Sequence, residues 1–456
     1  MKTIFVSISN GYIARNFFRT DVFPILAKQS DLKLVIFVPS VKKEFYRKEF
    51  GKKNVIFEPI DLPINVSKLE GLIAKLSFYL IDTDTVYMLQ KINFLKDGKK
   101  LNYFLKKGFT KIFSTPFFIK RIVRYLDYKL CPDQVFDIFF EKYNPDMVYC
   151  PYIHKPLDVH LVKQARKRNV SSVGLINSWD SITSKGMLRI LPDKLIVHNN
   201  LIKEEAIQLV GMNPQDIFVS GMPHFDHYFN YRPSLREEFC ERLGLDPKKR
   251  YILFCPPSLA LNAKWYQVVE FLSQAIDKRL LPSDLQIVIR YTPVDNGADL
   301  SSFPRDKKIF HNQTGIPGSR FGGRHLDWEW LQKDMAHLAD SLYHSSLAVI
   351  YSSTMNIDTA AFNKPNVNIA FNYEDKFGSD RVAYSYEFSH TKKLVQRTNG
   401  IEIAYSEKEL LDNINLYLEN PKKDSQGRAK IIEDQCWKFD GKAGQRLANY
   451  LLNYLA

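Results

Sequence analysis

The chain has 456 residues, of which 45% are hydrophobic and 25% are charged, and its formal net charge is +14. This length allows two or three domains with cores of their own, and the composition is ordinary for a globular protein. No window approaches the roughly 18 uninterrupted apolar residues that a membrane-spanning helix needs. The five cysteines are scattered without a CxxC pair, which argues against a disulfide framework or a zinc site and fits a reducing cytoplasm.

The first half of the chain alternates short apolar runs with helical patterns. The runs that we predict to be buried strands are KTIFVSI, LKLVIFV, VIFEPI, DMVYC, SSVGLIN, KLIVHN and IFVSG. A helix is predicted over 14–27, after the first run. Short strands separated by helices predict a mainly parallel sheet that is covered on both faces. We therefore predict an α/β, Rossmann-like domain over residues 1–225.

A basic and aromatic insertion interrupts this domain at about 62–130. Between Lys91 and Leu130, eleven lysines and arginines stand against Asp97 and Asp127 alone, which is a net charge of +9. Aromatic residues are interleaved with these cations. This pattern suits the interface of an anionic bilayer, or it suits stacking on a nucleic acid; a helical insertion with solvated lysines is the simplest alternative. Of the two partners, we favour the membrane surface over nucleic acid.

The alternation restarts after Gly221-Met222-Pro223 and predicts a second Rossmann-like domain over 226–427. Its predicted strands are RYILFCPP, LQIVIRY, LAVIYSS and PNVNIAF. Its predicted helices span 231–244, 264–277 and 407–419. The stretch Pro293–Leu326 is rich in glycine and is predicted to be a loop. The last segment, 428–456, is predicted to be helical and could cross back to the first domain.

The most informative stretch is the end of the apolar run LAVI. Three hydroxyl residues follow it, Ser352, Ser353 and Thr354, and a segment that suits a helix then contains Asp358. A buried strand that leads through such a turn into a helix presents backbone N–H groups and hydroxyls to an anion such as a phosphate. A serine that merely caps the helix is the alternative. We favour the phosphate site.

Two Rossmann-like domains that face each other create a cleft lined by the carboxyl ends of their strands, and ligands bind there. In the second domain, Arg290 closes the strand LQIVIR and Ser258 follows the strand RYILFCPP. A guanidinium at this edge suits a diphosphate. We therefore expect both residues to bind the same phosphate-containing donor substrate as the hydroxyl-rich turn.

In the first domain, the loops after the strands carry a different set of residues. Asp180 follows the strand VGLINSW and is a candidate general base for an acceptor hydroxyl; a cap of the following turn is the alternative. His154 lies on the loop after DMVYC and is the second catalytic candidate. The candidate acceptor-binding residues are Asn10, Arg15, Trp179 and Lys185.

Three of these signals resemble motifs of the GT-B glycosyltransferase superfamily, and particularly of its branch that acts on bacterial surface polysaccharides and teichoic acids. Residues 221–226 are similar to the G-N-P-x-x-D signature, and residues 351–365 resemble the Y-S-S…D…K-P element that meets donor phosphates. Residues 440–446 are similar to D-G-x-A-x-x-R. The resemblance covers most of the second domain and implies that Asp358 hydrogen-bonds a donor ribose.

Two positions depart from the CDP-glycerol glycerophosphotransferases of this branch. Asp180 stands where that family places the histidine of its W-H-G-T-x-x-K element, and Thr292 replaces the histidine of R-x-H-P. These departures favour sugar transfer over glycerol phosphate transfer.

The sequence therefore predicts a cytoplasmic glycosyltransferase that needs neither a metal nor another cofactor. It would move a sugar from a nucleotide-sugar donor to a surface glycan or a lipid-linked glycan acceptor, and it could lie peripherally at the inner face of the membrane. A teichoic-acid glycerophosphotransferase and a nucleotide-sugar 2-epimerase are the rival enzymes; for the latter, the sequence identifies no set of acids and histidines converging on one sugar carbon. Two functions without catalysis also fit the sequence, a nucleotide-sugar-binding subunit and a nucleic-acid- or membrane-binding protein that uses the basic insertion.

Overall fold

A computed structural model describes most of the chain. The described residues are 1–132, 135–258, 264–293, 306–312, 315–317, 328–371 and 384–456. They form two compact units. The first unit comprises Met1–Phe94, Gly98–Phe229 and Asp434–Ala456, and the second comprises Leu95–Asp97 and Asn230–Glu433. The predicted loop Pro293–Leu326 lies mostly outside the described residues.

The first unit contains a sheet of seven parallel strands. The strands are β1 (Lys2–Ser7), β2 (Leu32–Pro39), β3 (Val55–Ile60), β4 (Met147–Cys150), β5 (Ser171–Leu175), β6 (Lys194–Val197) and β7 (Ile217–Val219). Their order across the sheet is β3-β2-β1-β4-β5-β6-β7. Each of the seven predicted apolar runs forms one strand, because continuous runs of Val, Ile, Leu and Phe suit strands that are buried on both faces.

Helices cover both faces of this sheet. The helices of the chain up to residue 229 are α1 (Gly11–Phe18), α2 (Val22–Ala27), α3 (Lys43–Phe50), α4 (Lys68–Tyr79), α5 (Asp84–Asp97), α6 (Lys100–Phe113), α7 (Phe117–Leu130), α8 (Asp137–Tyr143), α9 (Pro156–Lys167), α10 (Ser181–Ser184), α11 (Asn200–Glu205) and α12 (Asp226–Phe229). Phe17 and Phe23 pack with Ile4 on one face, while Leu161 packs in the core that contains Phe5 on the other. The alternation of Ile4 and Phe5 along β1 thus fills two separate cores.

The helix predicted over 14–27 is in fact two helices, α1 and α2. Pro24 explains the break, because it has no N–H for a bond to the residue four positions earlier and its ring would clash with that carbonyl. It occupies the third position of α2, where no such bond is needed.

The basic insertion contains helices α4 to α7, and a buried ionic network holds two of them in place. The carboxylate of Asp127 on α7 accepts from Lys163 Nζ at 2.9 Å and from Arg189 Nη2 at 2.8 Å. Glu70 on α4 contacts Arg189 Nη2 at 2.8 Å and His160 Nε2 at 2.9 Å. All five side chains are at most 9% exposed. The network therefore fixes α4 and α7 to α9 and to the loop before β6.

The second unit contains a parallel sheet of six strands and a short antiparallel pair. The strands are β8 (Arg250–Cys255), β9 (Leu285–Arg290), β10 (Ile309–Asn312), β11 (Ile316–Pro317), β12 (Trp328–Glu329), β13 (Leu347–Ile350), β14 (Asn366–Ile369) and β15 (Glu402–Ala404). The six-stranded order is β10-β9-β8-β13-β14-β15, and β11 pairs with β12. Strands β10, β11, β12 and β15 are absent from the sequence prediction because they are short and only partly apolar.

Six helices lie wholly within this unit's part of the described chain. They are α13 (Arg236–Leu243), α14 (Tyr266–Asp277), α15 (Gln332–His344), α16 (Met355–Ala361), α17 (Ser389–Thr398) and α18 (Glu407–Glu419). Helix α13 begins at Arg236 rather than at the predicted Tyr231. The carboxylate of Asp340 holds the intervening segment by accepting from the Tyr231 hydroxyl and from Ser234 N and Oγ, at 3.0 and 2.8 Å for the last two.

Two further helices follow, α19 (Ser425–Cys436) and α20 (Ala443–Leu455), and α20 belongs to the first unit. The Asp226 carboxylate accepts from the backbone N–H groups of Ala443 at 3.0 Å and Gly444 at 2.7 Å. Arg446 Nε donates to Ser220 O at 2.8 Å. A Cβ on Gly221, whose φ is +87°, would lie 3.0 Å from Ala443. Residues 221–226 and 440–446, which resemble two GT-B motifs, therefore contact each other and anchor α20.

None of the helices in the described part of the chain has the length and hydrophobicity of a transmembrane span.

Candidate functional site

The carboxyl ends of β8, β9 and β13 bring several predicted donor-binding residues together in the second unit. Cys255 at the end of β8 pairs in register with Ile350 of β13, and β9 on its other side ends at Arg290. Burial raises the pKa of the Cys255 thiol to about 12, with Arg290 lowering it and Asp358 raising it. Both side chains thus act on the same buried thiol, so a cation and a carboxylate lie at one sheet edge.

Arg290 is held in a defined position at this edge. Its side chain is only 5% exposed, and its guanidinium carbon lies 5.8 Å from the centre of the Trp330 ring. Such stacking restrains the side chain. Ser258 is half-buried after β8 and is the last described residue before 264. The structure therefore places a buried arginine where the sequence predicts a phosphate contact.

The three hydroxyl residues after β13 differ in their contacts. Ser352 Oγ hydrogen-bonds Thr391 Oγ1 at 2.8 Å, and Ser353 Oγ accepts from Met355 N at 3.3 Å. Thr354 is exposed at the N-cap position of α16 without a side-chain cap bond. Ser353 thus contacts the first residue of α16, although Thr354 occupies the N-cap position. Helix α16 has only seven residues, so any anion here would depend on side chains more than on a helix dipole.

Buried asparagines, which the sequence pattern did not identify, hold α16 against β14. Asn356 Nδ2 donates to Asn368 Oδ1 at 3.2 Å, and Asn368 Nδ2 donates to Asn356 Oδ1 and to Asn366 Oδ1, both at 2.8 Å. Asn366 Nδ2 donates to Thr359 Oγ1 at 2.7 Å. Alternating asparagines in the otherwise apolar NVNI were the available signal. This network positions Asp358, which is 8% exposed in the first turn of α16.

In the first unit, Asp180 lies after β5 in a cluster of polar side chains. Its Oδ1 accepts from Ser178 Oγ at 2.5 Å, its Oδ2 accepts from Ser184 Oγ at 2.9 Å, and Lys185 Nζ lies 3.6 Å from Oδ2. Asp180 occupies the N-cap position of α10, but its carboxylate makes no cap bond to the helix. The residue therefore has the position of a cap without the contact that defines one. Its carboxylate is oriented by hydroxyls instead.

His154 lies close enough to Asp180 to interact with it electrostatically. Both ring nitrogens are buried and make no hydrogen bond that meets standard geometry within the described residues. Burial lowers the pKa of His154 to about 4, while Asp180 and the backbone of Gly186 oppose that shift. The structure thus brings the two predicted catalytic residues together, and it holds the imidazole neutral at neutral pH.

The predicted acceptor-binding residues have mixed surroundings. Asn10 Oδ1 caps α1 by accepting from Ile13 N at 3.2 Å. Arg15 Nε donates to Asn16 Oδ1 at 2.9 Å, and Trp179 is only 7% exposed. Asn10 and Trp179 therefore have clear structural roles, whereas Arg15 and the half-exposed Lys185 retain the charge that an acidic acceptor would need.

Three histidines near Arg15 form a cluster that the sequence pattern did not identify as a group. The rings of His198 and His224 lie 6.3 Å apart, and His227 Nδ1 contacts His224 O at 2.7 Å. Burial lowers the pKa of His198 and of His227 to about 4, and that of His224 further, with Arg15 contributing to the last two. His224 and His227 flank the aspartate of the motif at 221–226, which was the available signal.

Within the described ranges, no group of three or more histidine, cysteine, aspartate or glutamate side chains is arranged to hold a metal ion.

Solved structures with a similar fold match this chain along its whole length. Staphylococcus aureus MnaA, solved as a co-structure with UDP, superimposes with a TM-score of 0.55 and 12% identity, covering 100% of this chain and 97% of that one. A putative UDP-N-acetylglucosamine 2-epimerase from Listeria monocytogenes gives a TM-score of 0.56 and 11% identity, with the same coverage. At these identities the likeness concerns the fold: the chain has a two-domain GT-B fold, as its motifs predict.

The chain is also similar in sequence to a curated protein. The chain is 25% identical over 217 residues to the UDP-N,N'-diacetylbacillosamine 2-epimerase (hydrolyzing) of Legionella pneumophila. The similar stretch is 47% of this chain and spans about half of that relative, 53% of its length. No protein-family model matches the sequence.

Proposed function

We propose that this protein is an enzyme that acts on a uridine diphosphate sugar, and that it is a nucleotide-sugar 2-epimerase. The observation that carries this choice is the similarity to the Legionella 2-epimerase. It favours the epimerase, which the sequence left as an alternative, over the predicted glycosyltransferase. The likeness in fold to a protein solved with UDP supports the choice of nucleotide.

The nucleotide-binding part of the proposal rests on the second unit. Arg290 would donate to a phosphate, because a buried, stacked guanidinium binds phosphate oxygens in fixed geometry. The hydroxyls of Ser352, Ser353 and Thr354 would add donors, and Asp358 would accept from a ribose hydroxyl. Ser258 is proposed as a further donor at the same edge.

The chemical part of the proposal rests on the first unit. Inversion at carbon 2 of a UDP-sugar starts when a base removes the proton there, the electron pair of that C–H bond forms a double bond to carbon 1, and the bond from carbon 1 to the UDP oxygen breaks. A proton then returns to the opposite face of carbon 2 while UDP or water adds to carbon 1. Asp180 is the proposed base, since serine hydroxyls hold its carboxylate in one orientation. His154 is proposed as its partner, because a neutral imidazole can both donate and accept a hydrogen bond.

Product analysis tests this proposal. We expect the full chain, incubated with UDP-N-acetylglucosamine alone, to form the 2-epimer or to release it together with UDP, as judged by proton NMR. Asp180→Asn should lower this rate at least about a hundredfold while UDP still binds. The control Asp31→Asn changes an exposed carboxylate of the same unit and should retain the rate. An unchanged rate in Asp180→Asn would refute the assignment of the base.

Sugar transfer is the second candidate, and the exposed apolar and basic surface of α6 and α7 favours it. A lipid-linked acceptor would lie at such a surface, and Arg15, Asn10, Trp179 and Lys185 would then be the proposed acceptor contacts. This candidate predicts that product appears only when an acceptor is added, with the configuration at carbon 2 retained.

A further inference from the structure

We propose that helices α6 and α7 form a docking surface for an anionic lipid bilayer, and that a groove beside α7 holds a lipid phosphate. This inference does not depend on which nucleotide-sugar reaction the protein performs.

Helix α7 directs the charged side chains of Lys120, Arg124 and Asp127 inward and several large apolar side chains outward. Lys120, 2% exposed, donates from Nζ to Leu209 O at 2.7 Å, and Arg124 donates to Leu188 O and Val210 O, both at 2.8 Å. On the other side of the same helix, the apolar or aromatic side chains of Phe118, Ile122 and Tyr125 are 63%, 53% and 61% exposed. A surface helix of a water-soluble protein normally shows the reverse arrangement. Transfer of the outward side of α7 from water to an apolar environment would therefore be favourable.

Helix α6 carries a second exposed apolar stripe. Leu101, Phe104, Leu105 and Ile112 are 74%, 64%, 63% and 64% exposed, and their spacing of three, four and seven residues places them on one stripe. Only Thr110 of this helix is buried, so the stripe is not directed into a core. We call the exposed apolar side chains of α6 and α7 the outer face.

A groove beside α7 carries guanidinium groups close together. Arg121, Arg124 and Arg166 line it with Tyr125 and Tyr128, and its volume is about 450 Å³. Burial lowers the pKa of Arg124 to about 10, and Arg166 and Arg121 contribute to that shift. The described lining contains no carboxylate to offset this repulsion. A phosphate group would relieve it, because it pairs with guanidinium groups through charge-assisted hydrogen bonds.

The charge of this surface favours an anionic bilayer over a second copy of the chain, and its apolar side chains favour the bilayer over a nucleic acid. The exposed charged side chains of Lys91–Leu130 include one acid, Asp97, and a set of cations: Lys96, Lys99, Lys100, Lys107, Lys111, Arg121 and Lys129. A symmetric dimer through the outer face would therefore bring two cationic surfaces together. A nucleic acid would match the charge but would leave the leucine and isoleucine side chains in water. The interface of an anionic bilayer accepts both the cations and the apolar side chains.

Vesicle sedimentation tests the proposal with the full chain. We expect the protein to bind vesicles of equal parts phosphatidylcholine and phosphatidylglycerol, to bind pure phosphatidylcholine far less, and to weaken as salt is added. The double variant Phe118→Ser/Ile122→Ser should lose at least about tenfold in affinity, and Arg121→Gln about fivefold.

The control variant Leu235→Ser/Leu280→Ser changes apolar residues that are 66% and 52% exposed in the second unit, and it should bind as the unchanged protein does. The proposal is wrong if the unchanged protein ignores anionic vesicles, or if both double variants lose affinity equally. It is also wrong if sedimentation in solution shows a dimer that only the α7 variant dissolves, or if RNA binds more tightly than the vesicles. Proton NMR of the UDP-sugar reaction without vesicles reports separately on the proposed function.

Discussion

The local surroundings suit Asp180, His154 and Arg290 to different roles. His154 is neutral at neutral pH because burial lowers its pKa to about 4, so it brings no positive charge to a phosphate. The guanidinium carbon of the buried Arg290 lies 5.8 Å from the centre of the Trp330 ring. The carboxylate of Asp180 is oriented by two serines. We therefore propose proton transfer as the role of Asp180 and His154 in the first unit, and phosphate binding as the role of Arg290 in the second.

A substitution at Arg290 separates these roles. We expect Arg290→Gln to weaken UDP binding at least about tenfold, because a hydrogen bond to a charged group contributes roughly 1.5–3 kcal/mol. Isothermal titration calorimetry measures this affinity. Arg250→Gln is the matched control, since Arg250 pairs with Asp284 at 2.7 Å at the opposite edge of the same sheet and should leave UDP binding unchanged. Equal affinity of Arg290→Gln and the unchanged protein would refute the phosphate contact.

At the scale of elements, the buried network of Glu70, Asp127, Lys163 and Arg189 explains how the insertion keeps its outer face exposed. Glu70 on α4 and Asp127 on α7 take inward positions that apolar side chains usually occupy, and Lys163 and Arg189 pair with them. Breaking such a pair leaves a buried charge without its partner, at a cost of about 3–5 kcal/mol. The network therefore specifies which side of each helix faces outward.

The network predicts a defined response to acid. Although burial raises it, hydrogen bonds from His160 and Arg189 lower the pKa of Glu70 from 4.5 to about 2. A carboxyl with a lowered pKa in the folded state stabilises the protein above its unfolded pKa, and this contribution is lost as the pH falls from about 4.5 to about 2. We expect Glu70→Gln to reduce the free energy of unfolding at neutral pH by about 3 kcal/mol.

Urea unfolding across this pH range measures both effects, and hydrogen exchange should show that α4 and α7 lose protection before the central sheet. Glu44→Gln is the control, because Glu44 and Arg47 are both about 70% exposed and their pair should contribute under about 1 kcal/mol. A Glu70→Gln variant as stable as the control, with an unaltered acid profile, would contradict this role for the network.

At the scale of the whole molecule, the hydrophobic pattern predicts the two parallel sheets. It does not predict contacts between polar side chains that are far apart in the sequence. The strand-forming runs of the first unit are continuous and buried on both faces, so their signal is local and strong. The polar network around Asn356 and Asn368 joins residues that are separate in sequence, and a pattern of single residues does not show such partners. The same holds for His154 and Asp180, whose proximity depends on the order of β4 and β5 in the sheet.

The motifs at 221–226 and 440–446 add a second lesson at this scale. Their resemblance to GT-B signatures predicted the fold, and the contacts of Asp226 with Ala443 and Gly444 show why these segments occur together. Together the two segments anchor α20, so the motifs indicate the architecture of the chain and not its substrate. The choice between an epimerase and a transferase therefore has to rest on chemistry at carbon 2 of the sugar.

Incorporation of solvent deuterium tests that choice most directly. In D₂O, a 2-epimerase exchanges the proton at carbon 2, so we predict that mass spectrometry and NMR will find deuterium there in the product, and that Asp180→Asn will abolish the incorporation. Product that keeps its original hydrogen at carbon 2, or sugar transferred to an added acceptor without any deuterium, would contradict the proposed 2-epimerase.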